Sequence, residues 1–332
     1  MKNTFLRFSV FLLLVLGPGL PVLAGNIEIT DDPMMIGGGA RPLGMGRAFV
    51  AVAEDADAPF INPAGAANLR GLQAMSMFTN LLGEIYYVEL CGGVPTLYGT
   101  FAAGYVATGM NNVLVPSSAG AIYADYYDHL FLLSYSAPVA LFLNYGRNIF
   151  VGTTLKLFNR GWTGGHNEAA TGYSADLGVK VIVSPGLSLG FCRQNLLPVN
   201  LGGVLQWSTG AEEAIAGIYK FGVAVRPYLG KTLLTCDLHL PAYSNRPATG
   251  HLGAEYTVSE NLQLRAGADQ SVDSSSPDRT SWNPTMGVSV GLRGFRFDYT
   301  YHPYYNDPAL ATQYISLSYQ GDNNSILSGT AQ

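Results

Sequence analysis

Residues 295–301 read FRFDYTY, and this short stretch decides the fold class of the protein. Apolar and polar side chains alternate at every step, which is the period of a β-strand with one apolar and one polar face. The alternation predicts that Phe295 and Phe297 lie on one face of a sheet and that Arg296 and Asp298 lie on the other. Residues 315–319, 262–266 and 187–191 repeat the pattern, so two-faced strands recur along the chain.

Fourteen such strands are predicted from residue 73 onward, and an even number is typical of bacterial outer-membrane β-barrels. On this interpretation the apolar faces contact lipid and the polar faces line a lumen. The pairing of strands near residues 129–148 stays open, because the connection 137–147 is long where a turn is expected. The predicted strands are residues 73–80, 86–94, 99–109, 129–136, 148–159, 173–183, 187–195, 219–226, 232–240, 250–258, 262–271, 285–292, 295–301 and 314–319.

The connections strengthen this interpretation, because short turns alternate with long loops as in transmembrane barrels. Turns are predicted at residues 95–98, 184–186, 227–231, 259–261 and 293–294. Long loops are predicted at residues 110–128, 160–172, 196–218, 241–249, 272–284 and 302–313.

Aromatic residues cluster at the predicted strand ends, where the two interfaces of a bilayer favour amphipathic rings. The alternative fold, a soluble β-sandwich, gives no reason for this placement. The residues concerned are Tyr86, Tyr87, Tyr98, Tyr126, Tyr127, Trp162, Tyr173, Tyr219, Tyr228, Trp282, Tyr301, Tyr304 and Tyr305.

The composition agrees with a membrane barrel. Charged residues make up 12% of the chain, about half of what a soluble domain carries. Beyond residue 25 no apolar stretch approaches the roughly 18 residues of a membrane-spanning helix. Cys91, Cys192 and Cys236 are too far apart for a disulfide framework or a zinc site, and they are interpreted as small side chains on strands.

Residues 1–24 resemble a secretory signal peptide, with Lys2 and Arg7 before an apolar core and a small-residue cleavage site before Gly25. A membrane anchor is the weaker alternative, because glycine and proline interrupt the apolar run. Removal of residues 1–24 changes the formal net charge from −5 to −7, which argues against a nucleic-acid partner. We expect the mature chain to reside in the bacterial outer membrane with a periplasmic amino terminus.

The segment before the first strand is too apolar to be disordered and too rich in glycine and proline to form a long helix. Met45, Phe49 and Phe60 supply apolar surface that folding back into the lumen would bury. The predicted organisation is a signal peptide (1–24), a hatch segment (25–72), a transmembrane barrel (73–320) and a polar tail (321–332).

Residues 39–69 read GARPLGMGRAFVAVAEDADAPFINPAGAANL, which resembles the amino-terminal signature of the PorV/PorQ family, within the FadL-like group of outer-membrane barrels. Arg47, Glu54 and Ala66 are mild departures, since the family commonly has Gly, Asp and Leu there. The polar tail also departs from the pattern, because such barrels usually end on an aromatic strand residue that the barrel-insertion machinery recognises.

The resemblance implies a fourteen-stranded barrel with a small hatch that plugs the lumen and packs the corner of residues 62–64 inside it. The hatch is either a structural plug or a gate that moves to open a path. The gating candidates are Gly44, Met45, Gly46, Phe49, Asp55, Asn62, Pro63, Ala64 and Gly65.

No catalytic, cofactor or metal site is predicted. The five histidines lack metal-ligand spacing, and no nucleophile elbow is present. A chance Ser–His pair near residues 239–251 is the only catalytic alternative. Asp55 and Asp57 could bind a cation or pair with Arg41, Arg47 or Arg70, and paired structural charges are the better account. The polar faces of the strands give the lumen candidates Asp237, His239, Arg296 and Asp298.

Three functions follow from the resemblance and the barrel. The first is passage of hydrophobic small molecules through a hatch-gated lumen, as in FadL-like proteins. The second is a role in type IX secretion, in which the barrel binds the carboxy-terminal domains of cargo proteins through residues 196–218. The third is a sealed structural barrel. The expected partners are outer-membrane lipid, the insertion machinery, and either small molecules or cargo; the oligomeric state stays open.

Overall fold

A computed structural model describes residues 28–30, 32–117, 120–143, 145–227, 230–242, 246–273, 276–304 and 311–321. The predicted signal peptide and all but the first residue of the predicted polar tail lie outside the described residues.

The chain forms a closed antiparallel β-barrel of fourteen strands, β2–β8 and β11–β17. Each strand pairs with its neighbours in the sequence, and the barrel closes through two further pairings, β17 with β2 and β8 with β11. The strands are β1 Glu28–Thr30, β2 Gln73–Leu81, β3 Ile85–Thr96, β4 Gly99–Ser117, β5 Gly120–Pro138, β6 Ile149–Gly164, β7 Glu168–Ser184, β8 Leu187–Gln194, β9 Val204–Trp207, β10 Glu212–Ile215, β11 Ile218–Val225, β12 Thr232–Pro241, β13 Thr249–Ser259, β14 Leu262–Asp273, β15 Ser276–Leu292, β16 Phe295–His302 and β17 Thr312–Gln320.

The predicted fourteen-stranded barrel is confirmed, and each predicted strand has a counterpart. The strand pairing that stayed open near residues 129–148 is settled by one long strand, β5. A connection at residues 139–148 follows it and contains a short 3-10 helix, Val139–Leu141. No strand is missing there, because β5 pairs with β4 on one side and with β6 on the other.

Three of the predicted long loops are wrong. Residues 110–128, 160–172 and 272–284 are mostly strand, and the hairpins β4–β5, β6–β7 and β14–β15 continue almost to their tips. Alternation weakens where both faces of a hairpin meet polar surroundings, so the period of two fades although backbone pairing continues. The barrel therefore has an extended end, which carries these hairpins and residues 195–217, and a turn end, which carries residues 97–98, 185–186, 260–261 and 293–294.

The two faces of the barrel wall differ as strand alternation requires. Phe295 and Phe297 are exposed on the outer face, whereas Asp298 and Thr300 are buried on the inner face. Tyr87 is an exception to the predicted aromatic belt, because its side chain points inward and its hydroxyl donates to the carbonyl of Gly37 at 3.2 Å.

Residues 32–72, here called the lumen segment, lie inside the barrel and contain two short α-helices, α1 (Ala40–Gly44) and α2 (Ala58–Ile61), and two 3-10 helices, Pro33–Ile36 and Pro63–Asn68. Their apolar side chains join inward-facing residues of the wall in the main hydrophobic core. Among the described residues, no helix has the length and apolar character needed to cross a bilayer.

The start of the described chain lies at the extended end, because β1 pairs in parallel with β10 of the connection 195–217. The chain then runs through the lumen to Gln73, where β2 begins at the turn end. For residues 28–30 this differs from the expectation that the chain starts at the end that carries the turns. Residues 32–72 cross the lumen from the extended end to the turn end.

Candidate functional site

The lumen segment folds locally through glycine and capping residues. Gly46 has φ +59°, and a Cβ at this position would lie 2.5 Å from the carbonyl oxygen of Leu252. This backbone conformation and close approach both require glycine. At the predicted corner, the Asn62 side chain accepts a hydrogen bond from Ala64 N at 3.2 Å, while Pro63 occupies the first position of the 3-10 helix. Asn62 therefore acts as an N-cap.

The two halves of the lumen segment contact different parts of the wall. Residues 40–47, the α1 half, lie against β13–β17. Residues 48–66, the corner half, contact β4–β8 and β11–β12, and also reach β16 through Asp55 and β3 through Ala56.

The α1 half is held by a closed ring of six charged side chains that alternate in sign. Arg41 donates to Glu255 through two bonds of 2.8 Å and to Asp55 at 2.6 Å. Arg265 donates to Glu255 at 2.7 Å and to Asp298 at 3.0 Å. Arg296 closes the ring by donating to Asp298 at 2.9 Å and to Asp55 at 3.0 Å.

The ring contains three guanidinium groups and three carboxylates, so its charges balance. Two members belong to the lumen segment and four belong to β13, β14 and β16. Buried charges of this kind are tolerated only when they are paired and hydrogen-bonded. The arginines beside Asp55 lower the pKa of its carboxyl group against the opposing effect of burial. The ring therefore attaches the α1 half to the wall with its charges ionised.

Hydroxyl groups add to this attachment. Thr300 donates to the carbonyl of Ala40 at 2.6 Å, and Thr285 donates to the carbonyl of Gly44 at 3.1 Å. The α1 half therefore combines these polar contacts with the burial of Leu43 and Met45 in the main hydrophobic core.

Asp57 lies beside the ring without belonging to it. Its side chain is buried, and among the described residues its Oδ1 atom has no hydrogen-bond partner. Burial, together with the nearby charge of Asp55, raises the pKa of Asp57 to about 8. Asp57 is therefore a buried carboxyl group that holds a proton near neutral pH, although Arg296 and Arg41 oppose the rise of its pKa.

The corner half contributes Asp55 to the ring, and its other contacts to the wall are separate hydrogen bonds. The Asp237 carboxylate accepts the backbone N–H groups of Phe49 and Val50 at 2.7 and 2.8 Å. Asn62 donates to the carbonyls of Val50 and Val179 at 2.9 and 3.2 Å. Each bond satisfies a buried backbone group that would otherwise lack a partner.

Glycines of the wall allow this close approach. Gly190 and Gly222 face each other across β8 and β11, and a Cβ on Gly190 would lie 2.3 Å from the carbonyl oxygen of Val50. Gly152 and Gly178 face each other across β6 and β7, and a Cβ on Gly178 would lie 2.1 Å from Asn62 Oδ1. The backbone of the corner half thus comes closest to the wall at glycine positions, where no side chain intervenes.

A cavity of about 230 Å³ lies between the lumen segment and the extended end. The lumen segment contributes apolar side chains to it, among them Leu43, Phe49 and Phe60. The wall contributes basic and imidazole groups: Lys220, His239, Arg246 and His251. The rings of His239 and His251 lie 4.1 Å apart, centroid to centroid.

A second cavity, of about 460 Å³, lies on the other side of the lumen segment and opens at the turn end. Polar residues dominate its lining, including Asp55, Asp57 and Arg296 of the ring region and Arg70 and Arg293 nearer the turns. The lumen segment separates this cavity from the first one.

The predicted gating residues all lie within the buried lumen segment. Met45 and Gly46 pack on Gly253 and Gly267 of β13 and β14, and Ala64 N lies beside Gly152. Phe49, Asp55 and the corner make the contacts described above. Gly65 packs against the backbone of Ala53, where a Cβ would lie 1.7 Å from the carbonyl oxygen.

The four predicted lumen residues also face the lumen segment. Arg296 and Asp298 enter the ring, Asp237 binds the backbone of the corner half, and His239 lines the cavity at the extended end. Sequence reasoning missed Glu255 and Arg265. The sequence contains a weak signal that both side chains face the lumen, because each is a charged residue between apolar or small outward residues of its strand.

Comparison with known structures supports the barrel architecture. The toluene transporter TodX of Pseudomonas putida superposes with a TM-score of 0.60 at 12% identity, covering 86% of this chain and 99% of its own. The monoaromatic hydrocarbon channel CymD gives 0.57 at 13% identity, with 86% and 98% covered. A Pseudomonas aeruginosa FadL homologue gives 0.55 at 13% identity, with 85% and 98% covered.

The chain has the fold of FadL-like channels. At these identities the likeness extends to the fold alone. No protein-family model matches the sequence, and no curated protein matches it.

Proposed function

We propose that the protein is a non-enzymatic channel of the bacterial outer membrane that passes hydrophobic small molecules through a lumen gated by residues 32–72. The observation that carries the proposal is the cavity at the extended end, which has an apolar floor made by the lumen segment itself. Its volume lies a little below the roughly 300–1,000 Å³ of sites for drug-sized ligands, so it suits a small molecule or one end of a longer one. The FadL-like fold and the hydrocarbon channels that share it agree with this function.

The basic groups that line the cavity indicate which chemical class of ligand it binds. Lys220 and Arg246 lie opposite the apolar floor, so an amphipathic molecule with an anionic head would satisfy both surfaces. A neutral hydrocarbon would use the floor alone.

Residues 39–69 support the finer assignment to the PorV/PorQ branch. On this proposal residues 1–24 are removed after export, the turn end faces the periplasm, and the extended end faces outward. The insertion machinery and outer-membrane lipid are then necessary partners, as for any such barrel.

Binding of secreted cargo is the second candidate function. The connection 195–217 favours it, because it is an ordered platform with two strands, β9 and β10, and β1 is attached to its edge. A platform of this kind at the extended end offers a surface for a protein partner.

Native mass spectrometry of the protein, purified from its own outer membranes in a mild detergent, tests both candidates. The channel predicts bound apolar small molecules that are lost in Thr249→Trp, which fills the cavity. These molecules remain in Leu252→Trp, which changes the outer face of the same strand. Cargo fragments that disappear when residues 196–218 are trimmed would favour the secretion role. A barrel without either in every preparation would contradict both functions and favour a sealed structural barrel.

A further inference from the structure

The two cavities approach each other along one side of the barrel only. The cavity at the extended end is lined by Gln270 of β14, and the cavity at the turn end is lined by Gln263 of the same strand. Residues of β6, β7 and β8 line neither cavity in the described part of the chain. A continuous path through the lumen is therefore shortest along β14.

Between Gln263 and Gln270 the strand spans about 24 Å, at roughly 3.4 Å per residue. Three inward residues of this stretch, Arg265, Gly267 and Asp269, meet the α1 half, and Asp269 Oδ2 lies 3.6 Å from Arg47 Nε. Arg265 belongs to the ring of charges, and a Cβ on Gly267 would lie 2.3 Å from Gly46 N. The barrier between the cavities is thus the α1 half together with the ring that holds it.

The contacts at this barrier suit opening. The ring is neutral as a whole, and Arg41 is its one member that moves with the α1 half. When Arg41 leaves, Glu255 keeps Arg265 as a partner and Asp55 keeps Arg296. The cavity at the turn end lies directly beside Asp55 and Arg296, so water already has access to one edge of the ring. The corner half borders both cavities, through Phe49 and Val50 at the extended end and Asp55 at the turn end, but in the described part of the chain neither cavity extends to its contacts with β6–β8.

We propose that molecules cross the lumen along β13–β16 by displacement of the α1 half alone, with the ring of Arg41, Asp55, Glu255, Arg265, Arg296 and Asp298 as the gate. The corner half stays fixed on the opposite wall. This inference rests on the proposed channel function, which it deepens by locating the gate and its charged residues.

A pair of reversible disulfide tethers tests the inference. Ala40→Cys with Ser316→Cys joins the α1 half to β17, where Ala40 N and Ser316 Oγ lie 3.3 Å apart. Ala51→Cys with Ser188→Cys joins the corner half to β8, where Ser188 Oγ and the Ala51 carbonyl oxygen lie 3.0 Å apart. Contacts this close place both pairs within reach of a disulfide. Both tethers are made with Cys236, the one exposed cysteine among the described residues, changed to Ser.

Uptake of a fluorescent dodecanoate derivative into proteoliposomes is measured before and after reduction with dithiothreitol. We expect the tether on β17 to slow uptake at least about tenfold and reduction to restore it, because a gate that cannot open limits the rate. We expect the tether on β8 to leave uptake unchanged. Heat-modifiable migration in gels verifies that each barrel is folded.

The other outcomes contradict the inference in distinguishable ways. Equal slowing by both tethers, slowing by the β8 tether alone, or slowing by neither would overturn the location of the gate and leave the channel function standing. Absence of uptake by the untethered protein would overturn the channel function and this inference with it.

Discussion

The two halves of the lumen segment are buried in the same barrel but are held in different ways. Residues 40–47 reach the wall charges through Arg41, a member of one cooperative ring in which each charged group contacts two of opposite sign. Residues 48–66 contribute Asp55 to the ring, but most of their bonds to the wall are independent: Asp237 accepts two of their backbone N–H groups, Asn62 donates to Val179, and wall glycines lie against their backbone. A ring can be lost as a unit, whereas separate contacts must be lost one by one. Residues 40–47 can therefore be released from the wall while residues 48–66 stay bound to it.

Arg41→Gln is the change with the largest expected effect, because it leaves Glu255 and Asp55 buried without their common partner. We expect the free energy of unfolding to fall by about 3–5 kcal/mol, as for other buried ion pairs that lose one member. Guanidinium titration in detergent measures this change, and planar-bilayer recordings should show increased ion conductance. A stability equal to that of the wild type would contradict the role of the ring.

Gly190→Val tests the corner half. Its Cβ would meet the carbonyl oxygen of Val50, which belongs to backbone and cannot rotate away. We expect a loss of about 1–3 kcal/mol from overpacking, measured by the same titration. Gly291→Val is the matched control, since a Cβ there has no neighbour closer than 3.8 Å. Equal losses in the two variants would show that the corner half does not press on this wall.

Asp57→Asn removes the titratable carboxyl group that lies beside the ring. The pKa of Asp57 is about 8 in the folded protein, above the usual value of about 4 when unfolded, so the folded state binds the extra proton between these values. Stability of the wild type should therefore fall as pH rises from about 4 to 8, by at most about 1.4 kcal/mol per pH unit. Asn removes the titration. Unfolding titrations of both proteins at several pH values should give a smaller slope for the variant, and parallel slopes would exclude this role of Asp57.

Arg226→Gln gives the smallest expected effect and calibrates the first prediction. Arg226 contacts Glu54 at 3.3 Å, as Arg41 does, but this pair is partly exposed. Exposed ion pairs contribute about 0–1 kcal/mol, so we expect a change in that range by guanidinium titration. If Arg226→Gln lowers the free energy of unfolding as much as Arg41→Gln does, then neither burial nor membership of the ring explains the importance of Arg41.

The barrel could be predicted from the sequence because its signal is local. The alternation in residues 295–301 recurs in several wall strands, such as residues 262–266 and 315–319, and does not depend on distant residues. Strand extensions such as residues 110–117 escaped prediction, since pairing in a hairpin can continue where neither face is uniformly apolar.

The site was predictable only in part, because its contacts join residues far apart in the chain. Inward charges such as Arg296 and Asp298 follow from alternation alone. Their arrangement in a ring with Arg41 depends on barrel closure and on the path of the lumen segment, neither of which a periodic pattern encodes. The crossing of the lumen before Gln73 could not be predicted for the same reason, because it depends on the pairing of β1 with β10, which lie far apart in the chain.

Hydrogen exchange, followed by mass spectrometry on the protein in lipid nanodiscs, tests whether residues 40–47 are released from the wall while residues 48–66 stay bound. If the α1 half is releasable, amides of residues 40–47 should exchange at least about tenfold faster than those of residues 48–66, and added dodecanoate should widen the difference. Equal protection of the two halves, or faster exchange in residues 48–66, would contradict a lumen segment that opens along β13–β16.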